Sequence, residues 1–214
     1  MNAEFRHKIA LVTGACSPLG TEVVESLARQ GAMVAAVDSN GARLADLVER
    51  LDGQGLRIAG RQMDVTSSAA VDALVDQVER EFGPIDALVT MPGALRPGPA
   101  LSITDEEWSH SFAVNVDGVF NVSRAVATRM VQRGRGTIVM VPAHVVAVPR
   151  SGIAAYAASR AAAVAYTECL ALEVAAHGVH CAVVAPTDVN RVTDEVKFLL
   201  ADTTDHPMSN ALGA

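Results

Sequence analysis

Short apolar runs alternate with helical segments along most of this chain, and that alternation restricts the folds that the sequence can adopt. Most of the six runs are rich in Val, Ile, Leu and Ala, as strands buried on both faces are. Strands that alternate with helices form a parallel sheet, because right-handed crossovers start each strand at the same end of the sheet. The sequence therefore predicts an α/β fold, a Rossmann-type doubly wound parallel sheet in three αβα layers. The predicted strands are Ile9–Thr13, Met33–Val37, Leu56–Gln62, Ile85–Val89, Thr137–Val141 and Val179–Val184.

Helical signals occupy the segments between these strands. The clearest start is at Thr104, where three acidic residues follow a residue type that caps helices. The 214 residues, half of them hydrophobic, show no domain boundary and suit one globular domain over residues 1–214. The predicted helices are Thr21–Gln30, Gly41–Leu51, Ser67–Phe82, a long helix from Thr104, a helix around Tyr156 that ends near His177, and a short helix around Asp194–Ala201.

Charge and cysteine content argue against several classes of function. Twenty-four acidic and 17 basic side chains give a formal charge of −7, which offers no electrostatic reason to bind nucleic acid or an anionic membrane. No apolar run reaches the ~20 residues that span a bilayer, and the charged start of the chain is unlike a signal peptide. Cys16, Cys169 and Cys181 lack the spacing of a zinc site or a disulfide framework. We therefore expect a cytoplasmic protein without a metal site.

The loop after the first predicted strand carries the nucleotide-binding signal. It reads Thr-Gly-Ala-Cys-Ser-Pro-Leu-Gly over residues 13–20 and leads into a helix. Backbone amides at such a turn can hold a pyrophosphate, and Asp38, at the end of the second strand, can bind ribose hydroxyls. An acid there favours NAD over NADP, because a 2′-phosphate would meet a carboxylate. Cys16 has either a lowered pKa at the helix start or no role beyond that of a small loop residue. The predicted cofactor is NAD, held by Gly14, Ser17, Leu19, Gly20 and Asp38.

Tyr156 and Arg160 are the residues that suggest chemistry. They are four positions apart in a segment rich in helix formers, so they share one helix face. A fixed cation beside a phenol favours the phenolate, which makes Tyr156 a candidate acid or base and Arg160 its activator. Taken alone, a Tyr and an Arg at this spacing are more often surface residues. The position of the pair in the fold therefore has to show whether it is a functional pair.

These motifs together resemble the short-chain dehydrogenase/reductase family, and the resemblance covers nearly the whole chain. It implies a Rossmann fold, NAD as cofactor, and Asp64, Val65, Gly93 and Arg160 as further cofactor contacts. Some stretches are more narrowly similar to family members that oxidise cyclic dihydrodiols, which implies a small, hydroxylated, carboxylate-bearing ring as substrate. Those stretches are residues 93–98, 105–108, 115–126, 148–150 and 154–164.

The resemblance also implies roles at the active site. In the family a Tyr is the acid/base, and a Lys four residues later activates it and holds the nicotinamide ribose. A Ser thirteen residues before the Tyr binds the substrate oxygen, and an Asn on the preceding long helix supports a proton relay. Tyr156 and Asn115 match this pattern, whereas Arg160 stands at the Lys position and Ala143 at the Ser position. A loop arginine could also pair with a substrate carboxylate. The expected substrate-site residues are Ala143, His144, Arg96 and Arg150.

Other positions depart from the family pattern. Pro18 replaces a glycine of the phosphate loop, which removes an amide donor and adds bulk where the backbone approaches phosphate. Residues 90–93 read Thr-Met-Pro-Gly in place of Asn-Asn-Ala-Gly, and Thr187 replaces a glycine after the sixth strand. Beyond that strand we expect a truncated substrate lid and a truncated C-terminal strand. NAD binding is therefore expected to be weakened or lost, and the site to be open to water.

Three functions fit these residues. The first is an NAD-linked oxidoreductase of a small cyclic alcohol or dihydrodiol, with Tyr156 as base, Arg160 as its activator and Asn115 in the relay. The second is a cofactor-independent dehydratase, isomerase or cyclase that uses Tyr156 and Arg160, which Ala143 and Pro18 favour. The third is a catalytically silent homologue that binds a partner, which a truncated lid favours. We expect descent from oxidoreductases, with the activity impaired or repurposed.

The long helices predict the mode of assembly. Members of the family commonly form dimers or tetramers through their fourth and fifth helices and their last strand. Because the last strand is doubtful here, the sequence predicts a homodimer through the helices alone. The expected faces are residues 104–131 and 152–176.

Overall fold

Parallel strands form a central sheet in the part of the chain that the structure, a computed structural model, describes: residues 5–91, 93–142, 150–184, 192–196 and 198. The strands are β1 Ile9–Thr13, β2 Met33–Asp38, β3 Ile58–Gln62, β4 Ala87–Thr90, β5 Gly136–Met140 and β6 Val179–Val183. They lie in the order β3-β2-β1-β4-β5-β6, with all neighbours parallel. This order confirms the predicted doubly wound Rossmann-type fold.

Helices connect the strands and cover both faces of the sheet. Local polar residues start several of them: Ser17 Oγ accepts a hydrogen bond from Gly20 N, and Thr104 with Glu107 forms a reciprocal capping box. Residues 192–196 are also helical, so the short helix predicted near the end of the chain starts slightly earlier than expected. The helices are α1 Pro18–Arg29, α2 Gly41–Asp52, α3 Ser68–Phe82, α4 Asp105–Phe112, α5 Gly118–Arg133 and α6 Ala154–Ala175.

The start of α1 and the continuity of the long helix also differ from the predictions. α1 begins at Pro18 rather than Thr21, because a proline with its fixed φ suits the first helical position and Ser17 caps it. The long helix predicted from Thr104 is interrupted between α4 and α5 by a π-helical segment, Ala113–Asp117. Such π segments are rare and occur frequently at functional sites.

Some predictions concern residues outside those that the structure describes. They include Ala143 and His144 at the expected substrate site, and Pro186 and Thr187 after β6. The expected truncations of the lid and of the C-terminal strand also concern such residues.

The apolar core consists of one layer on each face of the sheet. Adjacent residues of a strand point to opposite faces, so Val12 packs on the side of α1 and α2, whereas Leu11 packs on the side of α3 and α5. Val192 and Val196 join the first layer next to Ala15 and Met91, at the carboxyl ends of the strands.

The strand order reverses between β1 and β4, and this reversal positions the site. From β1 the chain continues to β2 and β3 on one side, and from β4 to β5 and β6 on the other. The helices following β1 and β4 therefore lie on opposite faces and leave a crevice at the carboxyl ends of these strands. A buried hydrogen bond from Thr13 Oγ1 to Thr90 Oγ1, 3.1 Å long, joins the two strand ends.

Candidate active site

A cleft of about 500 Å³ opens at the carboxyl ends of β1, β2 and β4, where a doubly wound sheet binds its ligand. Its walls come from the loops that follow these strands and from the π segment. The described lining includes the predicted cofactor residues Gly14, Ser17, Asp38, Asp64, Val65 and Gly93. It does not include Leu19, Gly20 or Arg160.

Two glycines allow the loop after β1 to fold tightly. Gly14 has a φ of +72°, and a Cβ atom there would lie 2.2 Å from the carbonyl oxygen of Met91. A Cβ atom on Gly20 would lie 2.1 Å from the carbonyl oxygen of Gly14. Both positions therefore require glycine, because the backbone approaches closer than any side chain permits.

The start of α1 retains an amide for an anion despite Pro18. Gly20 N donates to Ser17 Oγ at 3.0 Å and Thr21 N donates to the Ser17 carbonyl at 2.9 Å, whereas Pro18 has no N–H group. Within this first turn of α1, all of which the structure describes, the Leu19 amide is left to bind a ligand. The proline therefore reduces the number of donors without displacing the turn.

Asp38 is held in place by backbone amides. Its Oδ2 atom accepts a hydrogen bond from Cys16 N at 2.9 Å, and its Oδ1 atom accepts one from Asn40 N at 3.0 Å. A carboxylate oxygen can accept more than one hydrogen bond, so both oxygens can still receive ribose hydroxyls. The fixed negative charge suits a dinucleotide with a free 2′-hydroxyl.

Of the two alternatives for Cys16, the structure supports the small loop residue and not the thiol with a lowered pKa. Burial is the largest effect and, together with the adjacent Asp38 carboxylate, it raises the pKa of the Cys16 thiol to about 11. A negative neighbour and a low dielectric both disfavour the thiolate, and the more distant Arg43 does not compensate. Cys16 is therefore a loop residue rather than a nucleophile.

The loop after β3 is fixed by a residue that the sequence analysis missed. Asn121, which is buried on α5, donates from Nδ2 to the carbonyl oxygens of Val65 at 3.0 Å and Thr66 at 3.3 Å. Gly118 lets α5 approach this loop, since a Cβ atom there would lie 2.6 Å from Val65 Cγ2. Asn121 lies six residues after Asn115, but spacing alone does not show that its amide reaches another loop.

Tyr156 and Arg160 lie on the buried side of α6, with 6% and 2% of their surfaces exposed. Arg160 Cζ is 5.6 Å from the centroid of the Tyr156 ring, and Arg160 Nη2 donates to the Val141 carbonyl oxygen at 3.1 Å. Burial lowers the pKa of the Arg160 guanidinium, and the neighbouring Tyr156 partly opposes this effect. The pair is thus not a surface pair, and its cation is held against the face of the phenol ring.

Asn115 lies in the π segment and is fully buried. Its Oδ1 atom accepts a hydrogen bond from Ala94 N, and its Nδ2 group donates to the Ala94 carbonyl oxygen, both at 3.1 Å. The Nδ2 group also donates to Ser159 Oγ at 3.0 Å. Asn115 therefore joins the loop after β4, which lines the cleft, to the helix that carries Tyr156.

The two candidate substrate arginines are exposed on neighbouring loops. Gly98 N donates to the Gly152 carbonyl oxygen at 2.8 Å, and Gly98 pairs with Ile153 in a short parallel bridge. Arg96 and Arg150 each precede this contact by two residues. The structure thus brings their loops together at the start of α6.

Arg43 and His110 line the cleft although the sequence analysis did not select them. The signal for Arg43 was its place in the first turn of α2, five residues after Asp38. His110 faces the cleft from α4, and no local pattern distinguishes it from other helix residues.

Among the residues that the structure describes, no cluster of His, Cys, Asp and Glu could hold a metal ion, and no helix is long and apolar enough to cross a membrane.

Comparisons with known proteins point to one family. Residues 8–202 match the family model described as short chain dehydrogenase. The chain is 46% identical to the 2,3-dihydro-2,3-dihydroxybenzoate dehydrogenase of Bacillus subtilis, over 87% of this chain and 72% of that protein. It is 34% identical to the 3-oxoacyl-[acyl-carrier-protein] reductase of Escherichia coli, over 89% of this chain and 79% of that protein. The crystal structure of an NAD+-bound xylitol dehydrogenase superposes with a TM-score of 0.81 at 30% identity, covering 85% of this chain and 70% of that one.

Proposed function

Because this chain belongs to the short-chain dehydrogenase family, we propose that it is an NAD-linked oxidoreductase of a small cyclic alcohol or dihydrodiol. The observation that carries this proposal is the buried pair of Tyr156 and Arg160, on a fold whose first loop and Asp38 suit a dinucleotide. The name of the Bacillus subtilis relative supports a dihydroxylated ring as the substrate.

Tyr156 acts as the base in this proposal. Its phenolate takes the proton of the substrate hydroxyl. A hydride leaves the carbon that bears this hydroxyl, so that an alcohol becomes a ketone. Arg160 is the cation beside this base, because its guanidinium is fixed 5.6 Å from the ring centroid in a buried site. Asn115 holds the loop after β4 and helix α6 in place around the site of proton transfer. NAD, when bound, supplies the hydride acceptor, and Gly14, Leu19 and Asp38 would hold it. The departures from the family pattern at Pro18, Ala143 and Arg160 make the expected turnover low.

The substrate site lies at the start of α6 in this proposal. Arg96 and Arg150, on the loops joined at Gly98 and Gly152, would bind a ring carboxylate, since a guanidinium pairs with a carboxylate in a bidentate way. Ala143 and His144 belong to the same proposed site by sequence position.

The role of Asp38 can be tested by cofactor preference. Asp38→Ala should weaken NADH binding roughly 10- to 100-fold, because it removes a charged hydrogen-bond acceptor for the ribose. It should weaken NADPH binding less or even improve it, because the carboxylate that repels a 2′-phosphate is gone. Calorimetric titrations with both dinucleotides measure the ratio of affinities. An unchanged ratio in the variant would remove Asp38 from the cofactor site.

A second candidate function is that of a cofactor-independent dehydratase, isomerase or cyclase. It is favoured by Ala143 and Pro18, which replace a substrate-binding Ser and a glycine of the phosphate loop, while Arg160 still contacts the Tyr156 ring. Titration of the purified protein with NADH and NADPH separates the two functions, because only the oxidoreductase needs a dinucleotide. Dihydrodiol oxidation that appears only after Ala143→Ser is combined with Arg160→Lys would also reject the first function. A protein that neither binds a dinucleotide nor turns over a ring substrate would be a silent binding homologue.

We also propose that two copies of the chain pair through α5 and α6. A groove of about 570 Å³ lies between these helices, and Phe120, 38% exposed, and half-buried Tyr166 meet in it edge to face. Apolar residues of both helices continue along the groove, so a second copy could cover it by a two-fold axis. The remaining lining residues are Arg124, Ala127, Thr128, Val131, Gln132, Cys169, Leu170, Glu173 and Val174.

A charge in this groove should separate the two copies. Cys169→Glu adds a carboxylate one helical turn from Glu173 in the same groove, and burying it in the interface should cost about 3–5 kcal/mol, or roughly a 100- to 4,000-fold weaker dimer. Sedimentation equilibrium of the wild-type protein and the variant measures this change. Leu172→Glu is the matched control, because Leu172 is 68% exposed on the same helix but does not line the groove. Equal dimerisation of all three proteins would place the interface elsewhere.

A further inference from the structure

We infer that Ser159 is a positioning residue that couples the cleft to Tyr156, an inference that rests on the proposed function. Ser159 is fully buried on α6, three residues after Tyr156 and next to Arg160. Its Oγ atom accepts a hydrogen bond from Asn115 Nδ2 at 3.0 Å and donates one to the Tyr156 carbonyl oxygen at 2.9 Å. The single hydroxyl therefore serves two partners on two different elements.

The hydrogen bonds of Asn115 explain why Ser159 matters. One hydrogen of its Nδ2 group goes to the Ala94 carbonyl oxygen and the other goes to Ser159 Oγ. An amide has only two hydrogens, so the Asn115 side chain has no donor left for a substrate. Its contribution is to fix positions, and Ser159 is the partner through which it acts on α6.

These contacts form a continuous chain from the cleft to the backbone of Tyr156. Ala94 lines the cleft and exchanges two hydrogen bonds with Asn115, Asn115 bonds Ser159, and Ser159 bonds the backbone of Tyr156. The π segment gives Asn115 its place between α4 and α5. If Ser159 loses its hydroxyl, one buried Asn115 hydrogen has no acceptor. The change that costs the least free energy is then a shift of Asn115 or of the loop at Ala94. Either shift changes the distance between the cleft and Tyr156.

Ser159→Ala tests this role, with Thr167→Ala as the matched control. Thr167 is also buried on α6 and also donates to a backbone carbonyl oxygen of its own helix, that of Ala163 at 2.8 Å. Cys181 Sγ donates to the Thr167 carbonyl oxygen at 3.7 Å, but among the described residues no hydrogen bond from another element reaches the Thr167 hydroxyl. Each substitution removes one buried hydroxyl from the same helix, and Thr167→Ala also removes a methyl group, so a purely structural effect should be at least as large in Thr167→Ala as in Ser159→Ala.

The expected results separate positioning from stability. Ser159→Ala should lower kcat for dihydrodiol oxidation roughly 10- to 100-fold with little change in the KM for NAD, because Gly14 and Asp38 are untouched. Adding Ser159→Ala to Asn115→Ala should lower kcat no further, because both changes break the same chain of contacts. Thr167→Ala should lower the unfolding midpoint at least as much as Ser159→Ala and leave kcat near that of the wild type.

Hydrogen exchange provides a readout that does not need turnover. The Ala94 amide donates to Asn115 Oδ1, so Ser159→Ala should accelerate its exchange at least roughly tenfold, whereas Thr167→Ala should not. Equal exchange and equal kcat in the two variants would overturn the inference. A wild-type protein that binds no NADH and oxidises no ring alcohol would instead overturn the proposed function, and exchange at Ala94 would still decide the role of Ser159.

Discussion

Tyr156→Phe should lower kcat for oxidation of a cyclic dihydrodiol by about 10²- to 10⁴-fold, the range that a positioned acid or base contributes. The substitution removes only the hydroxyl that exchanges the proton and keeps the ring that packs against Arg160. NADH binding and the unfolding midpoint should therefore stay close to those of the wild-type protein. Steady-state kinetics, a calorimetric titration with NADH and a thermal unfolding curve measure the three quantities.

Tyr166→Phe is the control that the chain itself offers. Tyr156 and Tyr166 are its two tyrosines, and both lie on α6. Tyr166 is half-buried in the α5–α6 groove, where burial raises the pKa of its phenol and its oxygen accepts a hydrogen bond from Ser123 Oγ at 3.2 Å. Its substitution should leave kcat unchanged per folded protein. If Tyr156→Phe retains full activity while the wild-type protein is active, another group must be the base.

Gly14→Ala should strongly lower the free energy of unfolding. A residue with a side chain pays about 1–2 kcal/mol for a positive φ, and overpacking against the Met91 carbonyl oxygen costs about 1–3 kcal/mol more. A loss of about 2–5 kcal/mol is a large share of the ~5–15 kcal/mol that stabilises a typical domain. Protein that remains folded should bind NADH poorly, because the loop must move away from Met91. Urea unfolding followed by spectroscopy measures the free energy of unfolding.

Gly55→Ala separates the two causes. Gly55 has a φ of +75°, close to the +72° of Gly14, but a Cβ atom there has no atom within 4 Å. The free energy of unfolding of this variant should fall by only about 1–2 kcal/mol, the cost of a positive φ, and the variant should bind NADH normally. Equal losses in the two variants would show that the close approach to Met91 adds nothing to the cost.

The positions of the strands and the phosphate loop could be predicted because each depends on residues near one another in sequence. The run Ile9–Thr13 is apolar throughout, and the glycines at 14 and 20 frame the turn that follows it. Asp38 ends the next strand, and parallel strands present their carboxyl ends at the same edge. The start of α1 was predicted less accurately, because Pro18 was treated as a defect of the loop rather than as the first residue of the helix.

The π segment and the burial of the Tyr156–Arg160 pair could not be predicted in this way. Residues 113–117 favour an α-helix as much as a π turn, and only the packing of Asn115 between Ala94 and Ser159 distinguishes the two. The same limit applies to Arg160, whose spacing from Tyr156 suits a surface pair equally well.

The sequence alone thus determined the parallel sheet, the order in which its elements follow one another, and the candidates for nucleotide binding. The tertiary structure decided which candidates meet: it buried Arg160 against Val141, 19 residues away, and linked Asn115 to Ser159, 44 residues away. The physical reason is the separation in sequence between the residues that interact. Periodicity and capping depend on neighbours within a few residues, whereas these hydrogen bonds exist only after β5, the π segment and α6 have packed together and excluded water.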